Sequence, residues 1–281
     1  LNLNGPIISN VKGFGFNNII NLINPNEVKK NLEELEDFNP DVLIIKINSP
    51  GGTVSATSSL ENNFKNFKES NDVKMYIYTD EVLASGGYWV ATTADKIYAS
   101  YGSVIGSIGV SGPSWYYFNK PTAITSGFFG QKVETENGVE VYSQNAGNSK
   151  DLYNPFRKPA KKELEHLQMM VTQIYEDFLN KVSKSRKIEI NTLKNEIGAL
   201  IFTSIQAKEN FLVNDVLEYQ QLIDQIIEEN NYVSFKIIEK NLTTGFFENY
   251  TSLIKNNSKS QICNKLNSSF VSIFPIFLNN C

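Results

Sequence analysis

Two unbroken apolar runs constrain this chain more than any other feature. Residues 41–48 read DVLIIKIN and residues 73–79 read VKMYIYT. Each has the length of a strand and lacks the apolar–polar alternation of a half-solvated one. That pattern suits strands buried on both faces, as in a parallel sheet covered by helices. Helix-forming stretches separate the runs. One is predicted over 26–38, with Asn24 as its cap ahead of Pro25. A second follows over 54–68, and a third opens at Ser85-Gly86-Gly87 and reaches about residue 94. Residues 96–99 read as a third short strand, and 104–110 as an apolar, glycine-bearing segment. Strand–helix–strand order of this kind demands right-handed crossovers, so the predicted class is α/β, built from repeated β-β-α units with a parallel sheet between helices.

Downstream, residues 111–149 are rich in Gly, Ser, Asn and Thr and carry a hairpin signal at Asn137-Gly138. Residues 160–184 predict one long helix with Leu164, Leu167, Val171, Ile174 and Phe178 on one stripe. Further helices are predicted over 189–197, 204–211 and 218–229, and 232–238 alternates as a strand would. From 241 the chain turns Asn- and Ser-rich. The expected organisation is one folded unit over 1–240 and a weakly ordered tail over 241–281, in line with a length of 281 residues and a hydrophobic fraction of 41%.

Charge and composition narrow the functional classes. A net charge of -4 and a pI near 5.3 lack the basic footprint of a nucleic-acid binder. No apolar run approaches the roughly 18 residues that span a bilayer. The longest late run, 270–278, has nine residues and includes Ser272 and Pro275. It reads as a docking or disordered end of the tail. Cys263 and Cys281 form no CxxC, and Cys and His together are too few for a zinc site. A disulfide between the two would only close the tail. No metal or organic cofactor is implied.

The single histidine, His166, is two positions past Leu164. It therefore falls off the apolar stripe and reads as a surface residue. Without it no Ser–His–Asp triad can be assembled, and a nucleophilic serine would need another base.

Three glycine motifs mark where chemistry could sit: SPGG at 49–52, ASGGYW at 84–89 and GSIG at 106–109. Glycines after buried strands allow close backbone approach and leave N–H groups free. Two such N–H groups can stabilise the charge that develops on an attacked carbonyl oxygen. Ser85 stands where a strand gives way to a helix, with the positive helix end beside it. Each motif alone also has a plainer reading: SPGG as a turn, Ser85 as a helix cap.

Taken as a set, NSPGGTV, ASGGYWVATTADKIYAS, GSIGV and SKDLYNPFRKP resemble the signal peptide peptidase A (SppA) family of serine peptidases, whose fold is of the ClpP/crotonase type. The resemblance runs over about residues 40–230 with every motif in the family's order. It implies Ser85 as nucleophile, Lys150 as general base and Ser107 as the serine that orients the lysine. It implies an oxyanion hole at Gly52 with the Gly86 N–H, and Gly51, Gly87 and Gly106 along the substrate. In the family the lysine sits in a shorter loop. Here about 40 residues separate GSIGV from Lys150, and Lys132, Lys158, Lys161 and Lys162 lie in the same region.

A free lysine has a pKa near 10.4, so about 1 in 2,500 is neutral at pH 7. A lysine base must be neutral, and burial against apolar walls is what lowers its pKa. Lys150 is therefore expected to be poorly solvated and within hydrogen-bond reach of Ser85. The resemblance further implies hydrolysis of extended, apolar peptides such as cleaved signal peptides, docked by backbone pairing. It implies a homo-oligomeric ring and membrane association through a segment not in this chain, with the site on the extracytoplasmic side. No nucleic-acid partner is expected. The alternatives are a crotonase-type acyl-CoA enzyme, a phage-type capsid-maturation peptidase of the same clan, and a non-catalytic peptide-binding scaffold.

Overall fold

The computed structural model describes residues 1–9, 21–118, 125–127, 130–132, 144, 146–239 and 272–273. The two apolar runs become β2 (Val42–Asn48) and β4 (Lys74–Thr79). They are adjacent parallel strands, with Ile45 opposite Ile77. Around them lie β1 (Asn2–Asn4), β6 (Lys96–Ala99) and β11 (Asp215–Val216), giving a five-stranded all-parallel sheet in the order β1-β2-β4-β6-β11.

Both faces of this sheet are covered, which explains why the runs do not alternate. On one face Ile45, Ile47, Met75, Ile77 and Ile97 are buried beneath α1 (Pro25–Glu36), α2 (Val54–Asn71) and α3 (Gly86–Ala91). On the other, Tyr76, Tyr78 and Tyr98 pack against Leu222 and Ile226 of α7 (Tyr219–Glu229). Each large side chain so buried contributes about 1.5–3 kcal/mol. The helix starts follow their caps. The Asn26 N–H donates to Asn24 Oδ1 at 3.0 Å, and the Ala56 N–H to Thr53 Oγ1 at 3.3 Å.

A second, smaller layer carries the site. The pair β5 (Val82–Ala84) and β7 (Val104–Gly106) run parallel, and β10 (Ile201–Thr203) adds to β7 antiparallel. The short β3 (Gly52–Thr53) pairs antiparallel with β12 (Ser272–Ile273), and β8 (Thr125–Gly127) with β9 (Gly130–Lys132). The remaining helices are α4 (Lys161–Arg186), α5 (Ile190–Thr192), which runs on into a π-helical turn over Leu193–Ile197, and α6 (Ser204–Glu209).

Three departures from the sequence reading have physical causes. Residues 82–84, between the predicted strand at 73–79 and the helix that opens at Ser85, form a further strand, because the Ser49 N–H and C=O exchange hydrogen bonds with Val82 and Ala84. The segment 104–110 is a strand only to Gly106, where the chain bends at positive φ. Residues 232–238 alternate, yet they pair with no strand among the described residues. Val233, Phe235 and Ile237 face solvent, while the segment lines a groove with Leu1 and Ile44. Alternation sets the faces of a strand, but a neighbour must supply the ladder. The hairpin at Asn137-Gly138 and all of the tail except β12 lie outside the described residues.

The stripe on α4 is split. Phe178, Leu179 and Val182 are in the core, whereas Leu164 is 48% exposed and Leu167, Val171 and Ile174 are half-buried. His166 is exposed, as expected. The first half of α4 therefore projects from the body, and its tip meets the loop that carries Lys150.

Candidate active site

The site is assembled by backbone hydrogen bonds that zip three glycine motifs together. Asn48, at the end of β2, is the first anchor. Its Oδ1 accepts from the Thr79 hydroxyl at 2.9 Å and from the Asp80 and Glu81 N–H groups at 3.2 and 3.1 Å. Its Nδ2 donates to Asp80 Oδ1 at 2.7 Å. The next residue, Ser49, is fully buried and locked to β5: its N–H donates to Val82 O at 2.7 Å, and its C=O accepts from Ala84 N–H at 3.0 Å. The SPGG segment is thus held against the strand that leads into Ser85.

Gly51 turns at φ 111. Beyond it, Ile7 uses the Gly51 C=O and the Thr53 N–H. Hydrogen-bonding groups alternate in direction along an extended backbone. The N–H and C=O of Gly52 therefore face the opposite edge, the one that β12 joins through Ile273. Only glycine fits here, since a Cβ on Gly52 would sit 1.9 Å from Ile7 O.

Ser85 follows β5 and precedes α3. Its φ of 55 and ψ of -121 are strained for a residue with a Cβ. It makes no side-chain cap bond, so the cap reading fails. Its N–H donates to Gly106 O at 2.9 Å, and its C=O accepts from Trp89 N–H at 2.9 Å. The residue is 1% exposed, and Oγ has no hydrogen-bond partner among the described residues. Buried hydroxyls normally find partners, and an orphaned one at a strained backbone position signals function.

Gly86 and Gly52 face each other: a Cβ on Gly86 would lie 3.2 Å from Gly52 N and 2.6 Å from Thr57 Oγ1. Gly87 lies against Ser49, with 3.0 Å between a would-be Cβ and Ser49 O. Thr57 Oγ1 is a second buried hydroxyl without a partner among the described residues, beside the same glycines. Sequence reasoning passed over it because a threonine in a helix carries no signal of its own.

Ser107 is joined to the nucleophile through Gly106. It sits at φ 52, its N–H donates to Leu200 O at 2.7 Å, and its C=O accepts from Gly109 N–H at 2.9 Å. Ser85, Ser107, Gly51, Gly52, Gly86, Gly87 and Gly106 are therefore drawn together.

Lys150 differs from expectation. It lies on an exposed turn, its N–H donating to Gly147 O at 3.3 Å, and it is not enclosed. With Ser85 Oγ unpartnered, the expected Ser85–Lys150 hydrogen bond is not made here. The reason is that the turn docks on the projecting half of α4 rather than on the core. Arg157 holds it there, donating to Asp151 through Nε and Nη2 at 2.6 and 2.7 Å. The same guanidinium reaches Glu163 through Nη1 and Nη2 at 2.8 Å each.

Arg157 keeps the Asp151 carboxyl below its usual range. Glu163 is held at about 2 by Arg157, the Ala160 N–H and Ser149. Of the other lysines, Lys158 covers the Tyr117 ring at 5.7 Å. Lys161 pairs with Glu165 at 3.6 Å and, like Lys162, is exposed. The side chain of Lys132 is outside the described residues.

Glu61 of α2 is a buried carboxylate that sequence reasoning did not single out. It accepts from Lys65 Nζ at 2.6 Å, Trp89 Nε1 at 2.7 Å and Lys181 Nζ at 2.8 Å. It thereby ties α3, which follows Ser85, to α2 and α4. Among the described residues no helix is long and apolar enough to cross a membrane.

The chain is 30% identical over 205 residues to a candidate signal peptide peptidase SppA of Enterococcus faecium, covering 73% of this chain and 56% of that one. It is 31% identical over 213 residues to a candidate protease of Methanocaldococcus jannaschii, covering 75% of this chain and 63% of the relative. It is 24% identical over 190 residues to Protease 4 of Haemophilus influenzae, covering 68% of this chain and 28% of that protein. The chain thus spans less than two thirds of the length of each. Residues 67–232 match the model of peptidase family S49, which is more than half of the chain, and the chain belongs to that family, within its SppA group.

Proposed function

We propose that this chain is a serine endopeptidase that cleaves extended, apolar peptides with a Ser85–Lys150 dyad. The observation that carries this reading is the Ser85 hydroxyl: buried, unpartnered and held at φ 55 beside two glycines. Neutral Lys150 takes the Ser85 proton as Oγ attacks the peptide carbonyl, and Ser107 orients the amine. The oxyanion rests on the N–H groups of Gly52 and Gly86. Protonated Lys150 then donates to the leaving amine, and water releases the acyl group from Ser85.

The edge of β3 that β12 joins favours docking by strand addition, since it already accepts the antiparallel backbone of Ser272–Ile273. By the resemblance, Gly51, Gly87 and Gly106 lie along the substrate. Beside the Lys150 turn, Val110, Trp115, Tyr153, Leu167 and Val171 line an apolar groove of about 470 Å³. It suits an apolar side chain of the substrate, in keeping with signal peptides or membrane-derived segments.

Ser85 is buried while Lys150 is exposed. The amine therefore meets the hydroxyl on assembly, in a homo-oligomeric ring whose neighbouring subunits wall the groove and exclude water. That enclosure is what a neutral lysine requires. By the resemblance, the site works on the extracytoplasmic side of a membrane.

The test is turnover of a fluorogenic apolar peptide with covalent trapping by a serine-reactive phosphonate. The adduct should map to Ser85, and Ser85→Ala and Lys150→Met should each abolish turnover. Cleavage that persists in Ser85→Ala refutes the proposal.

A further inference from the structure

Arg157 is the centre of a polar clamp that stands apart from the main core. Its guanidinium makes four hydrogen bonds of 2.6–2.8 Å to two carboxylates, Asp151 and Glu163. Its carbon Cζ lies 5.1 Å from the centre of the Trp115 ring. Asp151 adjoins Lys150 in the chain, and Glu163 is in the first turn of α4, where it also accepts from Ala160 N–H at 2.8 Å. Trp115 Nε1 donates to Asn154 O at 3.1 Å, and Phe118 N–H to Pro155 O at 2.9 Å. The turn bearing Lys150 is thus fastened at one end to α4 and along its length to residues 115–118, with Arg157 linking the two.

Both carboxylates are less than one third exposed, with side-chain values of 29% for Asp151 and 7% for Glu163. The other charge nearby, Lys158, is engaged over Tyr117. A planar fork that serves two carboxylates at once is a task for arginine. A lysine ammonium is a point charge that cannot hold both in plane.

We infer that Arg157 is a positioning residue for Lys150: by clamping Asp151 and Glu163 it fixes the turn from which the lysine amine reaches Ser85 on assembly, a role that rests on the reading of Lys150 as the base. Arg157 itself touches neither the substrate nor the reacting atoms. Releasing the clamp frees the turn while leaving the sheet and α3 in place. The amine is then presented in the productive position only part of the time, and displacements of about 1 Å in catalytic groups cost on the order of 100-fold in rate. A lysine that spends longer in water also holds its proton to higher pH.

The experiment compares the full chain with Arg157→Ala, Arg157→Lys and Lys150→Met by steady-state turnover of a fluorogenic apolar peptide from pH 5 to 10, with thermal unfolding measured alongside. Arg157→Ala should lower kcat about 100-fold with KM within about twofold. The acid limb of kcat/KM should move to higher pH, and Arg157→Lys should restore only a minor part of the rate. Should Arg157→Ala not fold, Arg157→Lys decides, since it keeps the charge and the stem. The inference is overturned if the folded variants keep the parental kcat, or if kcat falls with the acid limb unmoved, while Lys150→Met is inactive. If Lys150→Met turns over at the parental rate, it is the assignment of the base that fails, and the role of Arg157 with it.

Discussion

Replacing Glu61 by alanine tests how the nucleophile's helix is held. Glu61 is 1% exposed, and its carboxylate takes three donors, from α2, α3 and α4. Removing it leaves the Trp89 indole N–H buried, since Trp89 is 3% exposed. An unsatisfied donor of this kind costs about 1–3 kcal/mol. Breaking a fully buried ion pair costs about 3–5 kcal/mol, but Lys65 and Lys181 are 46% and 30% exposed. Both can turn to water, so only a minor share of that cost applies, and the total is about 3 kcal/mol. At about 2–4 °C per kcal/mol for a domain of this size, Glu61→Ala should lower Tm by about 6–12 °C, read by circular dichroism. Glu61→Gln keeps an acceptor for Trp89 and should lose only about 1 kcal/mol.

The pH dependence is a second check on the same residue. Burial pushes the Glu61 carboxyl up, but the donors from Lys181, Lys65 and Trp89 outweigh it and hold it below 4.5. A depressed carboxylate adds stability that is present in full above its unfolded value and lost as pH falls through its folded value. The gap in Tm between parent and Glu61→Gln should therefore be constant from pH 7 to about 5 and close below about pH 4.5. A Glu61→Ala protein that melts within 1 °C of the parent at pH 7 refutes this account of α3.

Two further outcomes follow from distances in the site. A Cβ at Gly86 would press within 3.2 Å of Gly52 N and 2.6 Å of Thr57 Oγ1. Gly86→Ala should therefore fold yet lose about 100-fold or more in kcat, the scale of one oxyanion donor; unchanged kcat would show that Gly86 is not part of the hole. Glu163, held at about 2 mainly by Arg157, contributes to the clamp in full above its unfolded value near 4.5 and yields only as pH falls towards 2. The indole N–H resonance of Trp115, which lies under Arg157, should accordingly not titrate between pH 7 and 4.5, and a midpoint between 5 and 6 would contradict the clamp.

What could be read from the sequence is what the backbone itself enforces. The runs at 41–48 and 73–79 are apolar throughout because α1–α3 cover one face of their strands and α7 the other, so their pattern is the direct imprint of burial. The glycines at 51, 52, 86 and 106 are required by close approach or positive φ, and such needs are local. Elements set by distant partners were not legible. Ile201–Thr203 is a strand only because Val104–Gly106 lies opposite it. Residues 232–238 have the alternation of a strand but no ladder partner among the described residues. Likewise, the stripe on α4 is continuous in sequence, yet only its second half meets the core.

The same division separates the two halves of the proposed dyad. Ser85 and the glycines beside it are set by main-chain hydrogen bonds with Ser49, Gly106 and Trp89, all within the core. A motif of small residues therefore specifies them, and the motif can be recognised wherever it appears. Lys150 is set by side chains: a guanidinium, two carboxylates and an indole, placed on a turn, a helix tip and a loop that have no fixed spacing. Such a clamp can be moved along the chain by an insertion without losing its chemistry, and about 40 residues separate GSIGV from Lys150 here. Under the proposed dyad, a fixed Ser85 with its base on a separate arm would keep the hydroxyl idle until the amine arrives. A peptidase built this way would cut only where its groove is closed, and the energy of closing it would come from the apolar surfaces left open along α4 and the Trp115–Tyr153 groove.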